Sequence, residues 1–589
     1  MKLSQLLKSI EPIQIYPITV QGTRCRAQDR DQRASKNINE HDVRCAIPYV
    51  ELPDPDVGSI HYRAQDVQPG GAFVAIEGGR ADGHNYIDEA LKRGAAVIIA
   101  QKDARPPDLT PSDSAARPGR HRQPPTQGGR HRHETAGGGQ VNKDVIVIQV
   151  ADTRKALANV AATFYENPSE DLVLIGITGT NGKTTTAYLI ERILQKAGYQ
   201  VGVIGTINYH YAGKTFDNPI TTPESLDLQR ILADMRHAGI THVVMEASSH
   251  AIDLYRIQRC WMDVGVFTNL SQDHLDFHGT MASYWSSKKR LFTEYLGNGP
   301  KKDRALAVIN CDNSHGRQLA QLLEMPVIKI GAGNDCELQI VIIRCDLNGI
   351  KATISTPHGA FDFTSQLVGE HNVENILCAA GAATAFNIPL DHIKAGVEDL
   401  SHIPGRLERI ENDAERFVYV DYAHTPDALE NVIRALRGIA ANRIICVFGC
   451  GGDRDKEKRP MMGEIAAKYC DLSIVTSDNP RTEDPLAIID HILEGTKKVN
   501  TFTYSISEIK NGFDFKGFVV EPDRRSAIKL GISVSGPGDT ILIAGKGHEP
   551  YQVLGNTTVP FDDREEARRA LRSVSGQSPT RQSRYGDSA

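Results

Sequence analysis

The chain has 589 residues, of which 40% are hydrophobic and 24% charged, and carries a formal net charge of -6. At about 150 residues per domain this length suggests three or four domains, each with its own core. The mildly acidic balance excludes a general nucleic-acid or membrane-surface binder, whose electrostatic footprint is basic.

The start, MKLSQLLKSIEP, has no apolar leader, and nowhere do 18 apolar residues run together, so a cytoplasmic protein is expected. Ten scattered cysteines fit neither a disulfide framework nor paired zinc knuckles; reduced thiols are expected.

Two stretches, 21–44 and 103–140, are poor in large apolar residues and are expected to be disordered insertions. The second contains RHRQPPTQGGRHRH, read as a solvated linker in preference to a metal tract or a basic contact patch. Around them, GGAFVAI (70–76), the helical YIDEALKRGA, AAVIIA (95–100) and VIVIQV (145–150) predict a small α/β domain over 1–168. Next, DLVLIGITG has the unbroken apolar run of a buried parallel strand. The helical TTTAYLIERILQKAGY and the strand YQVGVIGT complete a βαβ unit. HVVMEAS (242–248), DVGVFTNL (263–270) and ALAVIN (305–310) extend this central domain, assigned to 169–401. From HIPGRLERI (402–410) a new unit starts, with FVYVDYA, RIICVFGC, LSIVTS and DTILIAG alternating with helices over 402–572. The tail from Ser573 to 589 is expected to be disordered. The fold class is therefore α/β throughout.

GITGTNGKTTT (176–186) joins strand to helix with Gly179, Thr180, Asn181, Gly182, Lys183, Thr184 and Thr185 in the turn. Glycines let backbone amides approach a phosphate, the helix start offers free N–H groups, Lys183 reaches the β/γ-phosphates, and the Thr184 hydroxyl suits magnesium. The spacing departs from the strict P-loop string, but the flanking strand and helix supply its context. Further strand ends carry Glu246 and His250, then Asp273, His274, Asp276 and His278, followed by Lys288. In open α/β sheets these ends hold the ligands, and Glu246 offers the hard oxygen that a magnesium ion needs. TSDNPRTEDP (476–485) is another strand exit, which alone reads as a polar turn.

Taken together, GTNGKTT, ITTPES, MEASSHAIDLYR, TNLSQDHLDFHG, Tyr284 with Lys288, Leu291 and Phe292, GEHNVENI, PGRLERI, DYAHTPDAL, GCGGDRDKEKRP, DNPR and AGKGHEPYQ resemble the Mur ligases of peptidoglycan synthesis, in particular their tripeptide-forming members. The resemblance covers the chain outside the insertions and the tail. It implies three domains: an N-terminal UDP-substrate domain, a central P-loop-type ATP-binding domain and a C-terminal Rossmann-like domain that binds the amino acid. It further implies ATP and Mg2+ as cofactors, and addition of meso-2,6-diaminopimelate to UDP-N-acetylmuramoyl-L-alanyl-D-glutamate through an acyl phosphate. A monomer is expected, with neither nucleic acid nor membrane insertion.

By the same resemblance Lys183, Glu246, His274 and Lys288 are the catalytic set, with Thr184, Glu246, His274 and Lys288 around the metal. Because an ammonium is no metal ligand, Lys288 would act as a carbamate. Asn375, Arg406, Asp421 and His424 join the loop in holding ATP. Thr221, Thr222, Ser248 and Arg256, with Gly79, Arg80 and Ala81, would hold the UDP-muramyl dipeptide. Arg454, Asp478, Asn479, Pro480, Arg481, Gly545 and Glu549 would form the diaminopimelate pocket: Arg481 offers a fork to a carboxylate, while Asp478 and Asn479 accept or bridge the distal ammonium.

The chain departs from the family where Arg63, Ala64 and Gln65 replace an Asp-Ser-Arg triplet, Leu254 a Gln, Ile220 an Asn and Ser287 an Ala. The alternatives are a Mur-type ligase for lysine or another amino acid, and a binding protein that has lost catalysis.

Overall fold

The unbroken apolar run Val173–Thr178 needs cover on both faces, and in the computed structural model of the protein it is the fifth strand of an eight-stranded sheet. The structure describes residues 1–21, 24–26, 53–78, 81–101, 143–500, 502–510 and 512–574. The sheet order is Lys214–Phe216, Tyr209–Tyr211, Val201–Ile204, His242–Glu246, Val173–Thr178, Val264–Phe267, Leu306–Asn310 and Val327–Ile330, parallel from the third strand onward. Pairing of Glu246 with Ile177 and of Phe267 with Thr178 aligns the carboxyl ends of three strands. The exits after Thr178, Glu246 and Phe267 therefore open at one edge of the sheet. Helices Lys183–Lys196, His371–Ala385 and Leu390–Asp399 share a core with the sheet that includes Ile190, Ile193, Ile376 and Val397.

A second sheet takes the order Glu408–Ile410, Phe417–Asp421, Thr540–Ala544, Ile444–Phe448, Leu472–Val475 and Gly517–Val520, parallel apart from its first strand. Two separate cores flank it, one around Leu429, Ile433, Met462 and Ile492, the other around Ile474, Ile528, Ala567 and Leu571. Between the two large sheets in chain order comes a three-stranded antiparallel sheet, Gln339–Asp346, Gly349–Thr356 and Gly359–Ser365, which shares the core of the first through Ile350, Ile354 and Phe363.

The chain forms two compact units. One is Met1–Pro168 with Glu224–Ala233 and Leu254–Arg259; the other is Ser169–Pro223, Asp234–Asp253 and everything from Cys260. A consecutive reading places 224–233 and 254–259 in the central domain. Their attachment to the first unit has a physical cause: Tyr62 donates to Asp227 at 2.7 Å, Arg154 to Glu224 at 3.0 Å, Arg259 to Asn167 at 3.0 Å, and Leu226 joins that unit's core. The first unit is built on a sheet ordered Arg24–Arg26, Gln14–Gln21, Lys143–Val150, Val97–Gln101, Ala72–Val74 and Ile60–His61.

Two expected disordered segments are corrected at their edges. Gln21 ends a strand and Arg24–Arg26 pairs with it, because Arg26, Cys25 and Arg24 find Thr19, Val20 and Gln21 as ladder partners. Ser573 and Val574 belong to the helix Asp563–Val574. The remainder of 21–44, all of 103–140 and 575–589 lie outside the described residues. Cys260, Cys311, Cys336, Cys345, Cys378, Cys446, Cys450 and Cys470 are free thiols, and among the described residues no helix is long and apolar enough to cross a membrane.

Helices Arg524–Val534 and Asp563–Val574 are joined by a fully buried ion pair, in which Arg524 donates to both Asp563 oxygens at 2.8 and 2.7 Å and to the Ala544 carbonyl at 2.9 Å. Removing one partner would strand the other charge away from water. Asp563→Asn is expected to destabilise this part of the protein by about 3–5 kcal/mol, read from the denaturant midpoint; a loss under about 1 kcal/mol would refute the assignment of Arg524 as a charge that depends on Asp563.

Candidate active site

The loop after Val173–Thr178 takes its shape from two glycines. Gly179 has φ 154° and Gly182 φ 84°, and a Cβ on either would run into a side chain, Thr268 at the first and Asn375 at the second. The helix Lys183–Lys196 starts directly after Gly182, so its first N–H groups face the loop. Asn269 pins the loop from the neighbouring strand exit, accepting from Thr180 N through its carbonyl and from Asn181 N through its side chain, both at 2.9 Å. Such a turn presents amides and a helix dipole to an anion.

Two lysines point into it. Lys183 Nζ donates to the carbonyls of Gly179 at 2.9 Å and Thr180 at 2.8 Å. Lys288, 1% exposed, donates to the same Gly179 carbonyl at 2.7 Å, with its ammonium 4.4 Å from the Tyr284 ring centroid. Burial pushes the Lys288 amine well below its ordinary value, with Lys183 adding to the effect. Lys183 is also lowered by burial, against the pull of Glu246 and Asp273.

Glu246 ends the adjacent strand, 1% exposed, and accepts from Thr206 N and Thr206 Oγ1, each at 2.9 Å. Around it stand three of the expected substrate residues: Thr221 Oγ1 lies 3.1 Å from Thr206 Oγ1, Thr222 donates to the Glu246 carbonyl at 2.7 Å, and Ser248 N donates to Thr222 Oγ1 at 3.3 Å. His274 has φ 54°; its Nε2 is 3.3 Å from Asp273 and its ring packs on those of His250 and Tyr284. Burial holds this imidazole below its ordinary pKa, which favours the neutral form that binds metals. Asp276 caps no metal cage: among the described residues no three His, Cys, Asp or Glu side chains gather as one. The donor set of Thr184, Glu246 and His274 nevertheless fits magnesium, which binds one or two carboxylates and takes the rest from phosphate and water.

Lys288 sits on the helix Met281–Arg290, which passes into a π-turn at Leu291–Leu296. The replacement of the family's Ala by Ser287 is explained locally. Its hydroxyl donates to Asp253 at 2.6 Å, and Asp253 also accepts from Arg290 at 3.0 Å and lies 3.3 Å from His278 Nδ1.

From the second sheet, Arg406 stacks 4.8 Å from the Tyr422 ring centroid and donates to Thr184 Oγ1 at 3.4 Å. Asp421 accepts from Leu407 N and Ala423 N at 2.7 Å each, so its carboxylate shapes the Arg406 loop. His424 Nδ1 meets the Tyr422 carbonyl at 2.8 Å, and Asn375 donates to Asn372 at 3.0 Å with its oxygen beside Gly182. Asp427 was not singled out by motif reading, although DYAHTPDAL contains it. It accepts from Asn181 at 3.2 Å and from Ser271 at 2.8 Å, tying the helix Pro426–Ile439 to the glycine loop.

The DNPR loop is held by a hairpin, Tyr551–Leu554 and Thr557–Pro560. Arg481, at φ 51°, donates its N–H to Val553 O at 3.1 Å and accepts from Gly555 N at 2.8 Å, while its guanidinium donates to Gly452 O at 2.7 Å. Pro480 and Asn479 pack against Gly452, whose N–H donates to Asn479 O at 2.9 Å. Asp478 lies against Gly545 and 4.0 Å from Arg524; Arg454 is at the rim, donating to the Asp453 carbonyl. Asn479 differs from expectation. Its side-chain oxygen is taken by the Lys546 ammonium at 3.1 Å and Val553 N at 2.9 Å, so it presents only N–H groups to a ligand, one of them already on Glu549 at 3.0 Å.

Arg256 belongs to the first unit, where it faces Glu224 at 3.5 Å. In that unit Ala81 is exposed and its carbonyl accepts from Gly78 N at 2.8 Å; Gly79 and Arg80 lie outside the described residues.

Sequence models of three families match this framework: the Mur ligase middle domain over 177–383, the Mur ligase glutamate ligase domain over 405–547, and the Mur ligase family catalytic domain over 56–126. A UDP-N-acetylmuramoyl-L-alanyl-D-glutamate–2,6-diaminopimelate ligase of Geobacter metallireducens is 44% identical over 520 residues, 88% of this chain and 95% of that one. The chain belongs to the Mur ligase family. A Solibacter usitatus Mur ligase of the same name is 40% identical, covering 89% of this chain and 95% of its own. Among solved structures, a Mur ligase with that name matches at TM-score 0.57 and 30% identity over 88% of this chain and 95% of that one. A structure of MurF from Acinetobacter baumannii shares the fold at TM-score 0.54 and 19% identity, covering 84% of this chain and 92% of that one.

His548 gives this Mur ligase a pH signature. Burial, with Arg406 and Arg564 nearby, pushes its imidazole down to about 3, and its Nδ1 is buried without a hydrogen-bond partner. The unfolded chain binds this proton near the ordinary histidine value of about 6.5. The contribution to stability is thus complete above about 6.5 and is lost as pH falls toward about 3. The ring resonances of His548, assigned through His548→Gln, are expected to stay neutral down to pH of about 4; a midpoint near about 6.5 would contradict the burial described.

Proposed function

We propose that this protein catalyses the ATP-dependent addition of meso-2,6-diaminopimelate to UDP-N-acetylmuramoyl-L-alanyl-D-glutamate in peptidoglycan precursor synthesis, working as a cytoplasmic monomer. The assignment of the reaction rests on the near full-length likeness to ligases of that name. The choice of amino acid rests on Arg481, in the same Asp-Asn-Pro-Arg loop as Asp478, with its guanidinium held at the Gly452 carbonyl.

In this reading 1–168 receives the nucleotide substrate, 169–401 the ATP and 402–572 the amino acid. The amides of Gly179–Thr185 cradle the triphosphate, and Lys183 turns from its two loop carbonyls to the β/γ-phosphates. Thr184, Glu246 and His274 hold magnesium, which neutralises phosphate charge when bound. Arg406, Asp421, His424 and Asn375 close on the nucleotide; Thr221, Thr222 and Ser248 are contacts for the UDP-muramyl dipeptide, and in the first unit Arg256, Gly79, Arg80 and Ala81 are assigned to the same substrate. The D-glutamate carboxylate attacks the γ-phosphorus, ADP leaves, and the amine of diaminopimelate then displaces phosphate from the acyl carbon with loss of a proton. Because the acyl phosphate is sensitive to water, the tie between Asp427 and the glycine loop serves to keep the site closed.

Lys288 is read as a carbamate. The lowering of its amine pKa favours the neutral nitrogen that adds CO2, forming an N–C bond and releasing a proton, and the product is an anion beside Lys183. Lys288→Ala is expected to abolish turnover, with partial rescue by a short-chain carboxylate. Carbon-13 bicarbonate is expected to give a carbamate signal in the wild type and none in the variant. A fully active variant would show that no anion is needed there.

The reaction is tested by phosphate release from ATP with the UDP-muramyl dipeptide and either meso-diaminopimelate or L-lysine. Release with diaminopimelate is expected; release with lysine alone would refute the substrate, and none with either would leave a binding protein. Arg481→Lys, which removes the planar fork but keeps the charge, is expected to raise the KM for diaminopimelate by about tenfold or more with little change in that for ATP.

A further inference from the structure

The amino-acid pocket contains a cation that neither the resemblance nor the relatives assign. Lys546 lies between Gly545 and Gly547, has no exposed surface, and donates to Asn479 Oδ1 at 3.1 Å and to Glu549 Oε2 at 3.2 Å, with its ammonium 5.5 Å from the Tyr551 ring centroid. An ammonium has three donors and no lone pair, and the other neighbour of that Asn479 atom is the Val553 N–H. Two donors facing one atom require it to be the oxygen. The amide nitrogen is thereby turned outward, with one N–H on Glu549 Oε2 at 3.0 Å and a second to offer. Lys546 and Asn479 both fall on Oε2 of Glu549, which leaves Oε1 to accept from a ligand.

We infer that Lys546 is a positioning residue that sets the polarity of the pocket, fixing Asn479 as a donor and Glu549 as an acceptor, and that this arrangement selects an amino acid whose far end carries both a carboxylate and an ammonium. The inference rests on the proposed reaction. Diaminopimelate meets both demands: its distal carboxylate takes Arg481 and the Asn479 N–H, and its distal ammonium takes Glu549 and Asp478. L-Lysine supplies the ammonium alone and leaves the donors unpaired in a largely dry site, the kind of mismatch that sites with built-in hydrogen bonds reject strongly.

Lys546→Met keeps the length and apolar stem but removes the donor, so the Asn479 amide is free to turn over. In the phosphate-release assay its KM for meso-diaminopimelate is expected to rise by about 30-fold, the ratio of kcat/KM for diaminopimelate over L-lysine to fall by about tenfold or more, and the KM for ATP to stay within about twofold. Asn479→Asp keeps an oxygen for Lys546 and Val553 N, yet it turns the donor on Glu549 into an acceptor that repels both Glu549 and the distal carboxylate. It is expected to lose diaminopimelate binding by calorimetry while keeping the circular-dichroism spectrum and cooperative unfolding of the wild type. If Lys546→Met lowers all activities together with the discrimination ratio intact, or Asn479→Asp binds diaminopimelate as the wild type does, Lys546 is a structural cation and the inference is overturned. Failure of the wild type itself to use diaminopimelate would instead refute the proposed reaction, in the same assay and before any variant is compared.

Discussion

The ammonium groups of Lys183 and Lys288 converge on one oxygen, the Gly179 carbonyl, at 2.9 and 2.7 Å. Like charges this close in a site screened from water repel by several times what they would in solution. Part of that repulsion is relieved by lowering the amine pKa values and part by Glu246 and Asp273. Carbamylation of Lys288, as proposed above, would remove the remainder and leave Lys183 with the loop amides to meet a polyanion. The alignment of three strand ends, the two left-handed or extended glycines and the Asn269 clasp are the means by which the fold brings both lysines to one atom.

The second sheet contributes the other half of the same logic. Arg406 reaches Thr184 and Asp427 reaches Asn181, so the loop is contacted on its hydroxyl and amide side chains by residues more than 200 positions later in the chain. Neither contact is strong by itself, since one is long and the other partly exposed. Their value lies in register: they set which part of the C-terminal sheet faces the loop, and with it where the amino acid stands relative to the nucleotide.

Much of this was legible in the sequence because parallel strands buried on both faces leave unbroken apolar runs, and VLIGIT, HVVME, VGVF, FVYVD, IICVF, LSIV and TILIA all read that way. The glycine loop was legible because its conformation admits few other residues. What escaped reading was of three kinds. The antiparallel strands at 339–365 and the hairpin at 551–560 bury one face only, and their alternation is easily mistaken for loop. The attachment of 224–233 and 254–259 to the first unit depends on partners, Tyr62, Arg154 and Asn167, that no local pattern announces. Lys546 escaped for a third reason, since a lysine between two glycines looks like a surface turn until its neighbours show that it is enclosed. The orientation of Asn479 follows from that enclosure.

The hairpin Tyr551–Leu554 and Thr557–Pro560 lends partners to the Asp-Asn-Pro-Arg loop: the Val553 backbone to Asn479 and Arg481, the Gln552 side-chain amide to the Asp478 carbonyl, and the Gly555 N–H to the Arg481 carbonyl. Asp478, Asn479 and Arg481 therefore stand on one stretch of chain, while part of the scaffold that aims them is a separate and partly exposed ribbon. Substrate preference in such a design is adjustable at a distance. A change of turn length or twist in the ribbon re-aims the guanidinium without altering any residue that meets the ligand, so two ligases with identical pocket residues need not share one amino acid.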